Sequence, residues 1–202
     1  MNREVTNGVR ADEFIQAVAW SKEPIIRAEL QKTFEITTDP EILKITVVAK
    51  DASHADSYRK RLEEFIANLP ADGTSPYGTG YKLLVTLGQE FGMAAKPAYV
   101  RYMEHASLRQ RRSMCRVLAE MHGDWSVELL GPVLDDTRPA EGWDYQVIPG
   151  QNEPRRPIRL CDEAAETIAR NFPKLSYKMA GEHKDLDRQI AQMRDQISRH
   201  DY

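Results

Sequence analysis

The feature that most constrains this chain is a self-similarity at a fixed offset. Leu87-Gly88-Gln89-Glu90-Phe91-Gly92 recurs as Leu118-Ala119-Glu120-Met121-His122-Gly123, 31 residues later (87 to 118), and the same offset places Met103 on Leu134. Further on, the offset widens to 50 (109 to 159). Leu108-Arg109 then matches Ile158-Arg159, Met114-Cys115 matches Ala164-Ala165, and Leu118-Ala119 matches Ile168-Ala169. The 19 extra residues form an insertion between the two helices of the last repeat, within Asp135 to Arg156. A repeat of this length is one supersecondary unit, a short helix and a long one. It cannot bury its apolar faces alone and must stack on its neighbours.

Helical patterning runs through most of the remaining chain. Phe14, Ile15, Val18 and Ala19 mark a first helix; Ile25, Ile26, Leu30 and Phe34, after Ser21 and Pro24, mark a second. Asp39-Pro40 opens a third with an N-cap and a proline at the first helical position. Its β-branched run Ile45-Thr46-Val47-Val48 also fits a strand, but the caps favour helix. Ser53 suits the cap of a fourth, with Tyr58, Leu62, Phe65, Ile66 and Leu69 on one face. Residues 71–80 form a Gly/Pro/Ser-rich loop. Helices then follow over Tyr81 to Phe91, from Pro97, over Ser107 to Met121, around Val127 to Leu134, and from Pro157 to Phe172, with Asp135 to Arg156 expected to be irregular. At the end, Leu186, Ile190, Met193 and Ile197 make a two-heptad apolar seam. That seam reads as a capping helix or as a self-association surface, giving a monomer or a weak dimer.

The run from Val117 through Gly123-Asp124, Val127 to Asp136 and Ile158 to Ala169 resembles the HEAT repeat. That family's pattern is a helix ending in Leu-Gly or Leu-Ala, a Gly-Asp turn, a helix ending in Leu-x-Asp, then Val/Ile-Arg and an Ala-rich helix. The resemblance covers residues 82–172 well and 11–69 only in helix length and spacing. It implies an all-α fold, a right-handed α-solenoid of about four helix pairs over 1–202 as a single domain, closed by a capping helix at 180–200. It also implies that Asp135 or Asp136 and Arg159 bind consecutive repeats together. Arg109 fits the same position, although its repeat has no matching turn aspartate. The function implied is non-enzymatic binding of a protein or peptide partner along the solenoid surface.

Two constellations are candidates for contact with such a partner. Arg109, Arg112 and Arg116, spaced by three and four, fall on one helix face, with Arg101, Arg155 and Arg156 able to extend the stripe. Such a stripe serves an anionic ligand or nucleic acid, or is a solvated face beside Glu104, Glu120 and Asp124. Arg111 falls on the apolar side and needs a carboxylate partner if buried. The insertion over 136–156 carries Trp143, Tyr145 and Val147-Ile148, aromatic and apolar anchors suited either to a partner or to docking on the body.

Other classes find less support. With 28 Lys plus Arg against 31 Asp plus Glu, a net charge of −3 does not describe a bulk nucleic-acid or membrane binder. The alternative is a nucleic-acid or DNA-repair protein resembling the HEAT-like alkylpurine DNA glycosylases, with Trp125, Trp143 and the arginine stripe in its cleft. A HEAT protein handling a cofactor-bearing partner is a third reading. No catalytic motif, phosphate loop, metal-ligand spacing or cofactor signature occurs. Cys115 and Cys161 read as buried apolar positions. The first residues lack an apolar signal core and no apolar run reaches membrane-span length, so a cytoplasmic location is expected.

Overall fold

The structure, a computed structural model, describes residues 18–47, 50, 54–68, 79–121, 123–140, 145–147 and 155–202; at 79, 145–147, 155 and 156 it describes the backbone alone. Among the described residues the regular structure is helical apart from one short β-ribbon, and the chain divides into two compact units, Met1–Asn68 and Leu69–Tyr202.

The first unit contains α1 (Pro24–Ile36), α2 (Pro40–Thr46) and α3 (Ala55–Ala67). Asp39 caps α2 as expected: its carboxylate accepts from the Glu41 and Ile42 amides at 2.9 and 3.4 Å, and Pro40 starts the helix. The β-branched run is helical through Thr46, whose buried hydroxyl is satisfied by the Ile42 carbonyl at 2.8 Å. Val48 and the proposed cap Ser53 lie outside the described residues, as do Phe14 and Ile15. Leu30, Phe34, Leu43, Tyr58, Leu62 and Ile66 form the core, with Phe34 and Tyr58 stacked at 3.9 Å between ring centroids. Arg61 of α3 ties this core together by donating to the Phe34 and Thr37 carbonyls at the end of α1 (2.8 and 2.7 Å). Ile25 departs from the expected apolar face and is 81% exposed. Ile26, Leu30 and Phe34 repeat every four residues, whereas Ile25 lies about 140° around the helix from Leu30.

The second unit contains α4 (Thr79–Phe91), a 3-10 turn (Gly92–Ala95), α5 (Lys96–His105), α6 (Leu108–Ala119), α7 (Trp125–Leu130) and a second 3-10 turn (Gly131–Asp135). Strands β1 (Tyr145–Val147) and β2 (Arg155–Pro157) follow, then α8 (Leu160–Asn171) and α9 (His183–Ser198). Gly92 ends α4 with a φ of +52°, a conformation glycine adopts without strain. Ser107 and Gln110 form a reciprocal capping box at the start of α6.

The long helices pack in chain order, α4 on α6, α6 on α8 and α8 on α9. Between α6 and α8 the contacts advance in step. Arg112 meets Glu163, Thr167 donates to the Cys115 carbonyl at 3.1 Å, and Asn171 donates to the Leu118 and Met121 carbonyls at 2.8 and 3.0 Å. The two helices are therefore parallel, their contacts joining residues 50 to 53 apart in the chain, close to the offset of 50 in the sequence repeat. Met114, Cys115, Leu118, Leu160, Ala164, Ala165 and Ile168 fill the space between and around them.

Between α4 and α6, Gly88 lies against Met121 and Tyr99. A β-carbon there would come within 2.0 Å of the Met121 sulfur and 2.6 Å of the Tyr99 hydroxyl, which donates to the Leu84 carbonyl at 2.6 Å. The short helices meet through the Tyr99 and Trp125 rings, stacked at 5.4 Å, and a Lys96–Glu128 ion pair. Of the four seam residues of α9, Leu186, Ile190 and Met193 are buried within the chain and Ile197 is half-buried.

The stretch from Asp135 to Arg156, expected to be irregular, contains an antiparallel ribbon in which Tyr145 pairs with Pro157 and Val147 with Arg155. Strands of three residues are too short for alternation to show in sequence.

Candidate functional site

The insertion leaves and re-enters the helical body at one place, and hydrogen bonds stitch its two ends together. The Ala140 amide donates to the Ile158 carbonyl (2.8 Å), Leu160 to Arg138 (3.1 Å) and Cys161 to Asp136 (2.9 Å), with an antiparallel bridge between Pro139 and Arg159. Ahead of the ribbon, Pro139 pairs with Arg159; within it, Tyr145 pairs with Pro157, a register shift of four residues on the first strand. Trp143 falls in that interval and lies outside the described residues. Tyr145, Arg155 and Arg156 are placed in the ribbon by their backbone.

Arg159 anchors this base, though not by the pairing the repeat pattern implies. Its guanidinium holds Asp162 through Nε and Nη2 at 3.0 and 2.9 Å, and its backbone amide donates to the same carboxylate at 3.1 Å. A third arm, Nη1, reaches Asp187 of α9 at 2.7 Å. Tyr177 adds a hydrogen bond to Asp162 at 2.9 Å. Burial pushes the Asp162 carboxyl up, but the bonds from Arg159 and Tyr177 outweigh it and hold the carboxyl below the usual carboxylate range. Asp162 occupies the third position of α8 and closes one half of a capping box.

The expected partners of Arg159 are engaged elsewhere. Asp136 is held by Arg138, whose Nε and Nη2 donate at 2.8 and 2.5 Å and lower its pKa. Asp135 pairs with Arg194 of α9. Asp136 and Arg138 are two residues apart, and Asp162 is three residues from Arg159 on the same helix turn. A helix-start carboxylate at that spacing is a signal the sequence carries. Asp187 and Arg194 carry none, because only the return of α9 brings them near.

The arginine stripe does not form a continuous surface. Arg109 is exposed and Arg116 half-buried, but Arg112 between them is 6% exposed and donates to Glu163 of α8 at 2.7 to 2.9 Å. The spacing of the three is as read; the neighbouring helix covers the middle one. Arg111 is half-buried and donates to the Ala106 carbonyl at 3.2 Å, and its charge also helps lower the pKa of Asp136. Arg101 is exposed on α5. Trp125, considered above as a cleft aromatic, is buried against Tyr99.

Cys115 and Cys161 are both buried. Burial pushes the Cys161 thiol up to about 11, with the Asp162 charge adding to it, and burial raises Cys115 further. Both thiols are therefore neutral near pH 7 and poor nucleophiles. Among the described residues, no three His, Cys, Asp or Glu side chains converge as a metal site, and no helix is long and apolar enough to cross a membrane. Comparison with family models, with characterised proteins and with solved structures finds no match to this chain.

Proposed function

We propose that the protein is a binding module built from HEAT-like repeats, a short α-solenoid that engages a protein or peptide partner through the insertion at 136–156. The observation that carries this reading is the stitched base of the insertion. The two ends of the insertion are held by three backbone hydrogen bonds and the buried Arg159–Asp162 pair on the start of α8. A loop fixed on a rigid element binds at lower entropic cost than a free one. The ribbon also offers strand edges to which an extended peptide can add, and the insertion supplies Trp143 and Tyr145, residue types that dominate interface energetics. The repeat reading is supported by the parallel packing of α6 on α8 near the sequence offset. Repeats stacked this way expose extended surfaces suited to macromolecular partners.

The test is affinity capture from native lysate at near-physiological salt, with and without nuclease, using wild type, Trp143→Ala and Tyr145→Ala. A nuclease-resistant protein, lost in both variants while their helical circular dichroism is unchanged, is the expected result. Recovery that is nuclease-sensitive and indifferent to both substitutions would overturn the proposal and favour a nucleic-acid partner.

A further inference from the structure

We infer that α9 is a clasp for the insertion, a conformational device that sets the order of the ribbon's base. The inference deepens the reading of the insertion as the binding surface and rests on it only for its functional meaning. The two residues that flank the insertion are both held by α9. Asp135, where the chain leaves the body, pairs with Arg194, and Arg159, where it returns, pairs with Asp187 at 2.7 Å.

A third contact lies near the start of α9, where His183 Nε2 is 3.4 Å from the Pro157 carbonyl of β2. The segment leading to α9 joins the same cluster through the Tyr177–Asp162 bond. No other described helix makes an ion pair to both flanks.

The clasp has an attachment of its own. α9 is polar outside its seam, and it docks through Leu186, Ile190 and Met193 after a linker in which Gly181 takes a φ of +99°. The Lys178 amide and carbonyl bond Gln189 at 2.8 and 3.2 Å, which ties the linker to α9. A partner that draws α9 away frees both flanks of the insertion. By thermodynamic reciprocity, a partner that orders the ribbon strengthens the docking of α9.

Hydrogen exchange on the full chain tests this without any partner, so its outcome is separate from that of the binding reading. Asp187→Asn/Arg194→Gln removes both pairs at partly exposed positions (57% and 41% side-chain exposure) and leaves the apolar seam intact. The Ala140, Leu160 and Cys161 amides are expected to exchange about five- to tenfold faster, the effect of two partly exposed pairs acting together. The Ile190 and Met193 amides should remain protected. Unchanged rates at the three base amides would overturn the proposal. If α9 itself loosens in the double variant, the single Arg194→Gln variant is read at Ala140 in the same way, and an unchanged rate there overturns it.

Discussion

Replacing Arg112 with methionine removes a cation from a place where its partner is largely shielded from water. Arg112 and Glu163 have side-chain exposures of 8% and 11%, on parallel helices that form the main interface of the second unit. Methionine fills similar volume, so the packing loss is small and the uncompensated Glu163 carboxylate dominates. Breaking a buried pair from one side costs about 3–5 kcal/mol, whereas replacing both partners by apolar residues is often near neutral. Arg112→Met is therefore expected to lower the midpoint of thermal unfolding by on the order of 10 °C. Arg112→Met/Glu163→Leu should recover most of that loss, giving a coupling of at least about 2 kcal/mol in the double-mutant cycle. Urea unfolding followed by tryptophan fluorescence in a Trp20→Phe background reads the second unit alone, because the remaining tryptophans, Trp125 and Trp143, belong to it. If Arg112→Met costs less than about 1 kcal/mol, as a solvated surface arginine would, the reasoning fails. One consequence concerns binding assays: Arg112→Glu would place two carboxylates together in this interface, so a loss of nucleic-acid binding in that variant would report misfolding.

Three further outcomes follow from the packing. Gly88→Ala should destabilise by about 1–3 kcal/mol through overpacking on Met121 and Tyr99, although alanine is the better helix former by about 1 kcal/mol; chemical denaturation gives the sign directly. Asn171→Ala removes the side-chain donor shared by the Leu118 and Met121 carbonyls, leaving Leu118 with the Met121 amide at 3.3 Å, and should cost about 1–3 kcal/mol, measured the same way. Asp162 has a folded-state pKa below its unfolded value of ~3.9, so its contribution is complete above that value and is lost as pH falls through the folded one. Asp162→Asn should accordingly lower stability at pH 7 and flatten the decline below about pH 4 in an acid titration of the unfolding midpoint.

Local signals in the sequence carried most of the helices. Asp39-Pro40, Ser107 with Gln110, and Gly92 act within one turn, and each starts or stops a helix where its chemistry requires. The repeat offset likewise anticipated which long helices neighbour one another, since α6 and α8 meet near the spacing at which their residues match. Periodicity misplaced Ile25 and Arg112, for different reasons. Ile25 lies about 140° around α1 from Leu30 and so faces away from the core. Arg112 sits where one helix alone presents a polar stripe, and only the arrival of α8 with Glu163 makes that position interior. The ribbon is not legible in the sequence because its strands are three residues long, too short for alternation to show. The partners of Arg159 divide in the same way: Asp162 is legible at a helix start, while Asp187 depends on where α9 returns.

The central claim is that the insertion is the surface a partner touches. Site-specific photo-crosslinking tests it most directly, with a photoreactive phenylalanine analogue placed at Tyr145 in the ribbon and, separately, at the exposed Arg188 of α9. A discrete protein adduct from position 145, absent from position 188, is the predicted result. Equal labelling from both positions, or no adduct from position 145, would contradict it.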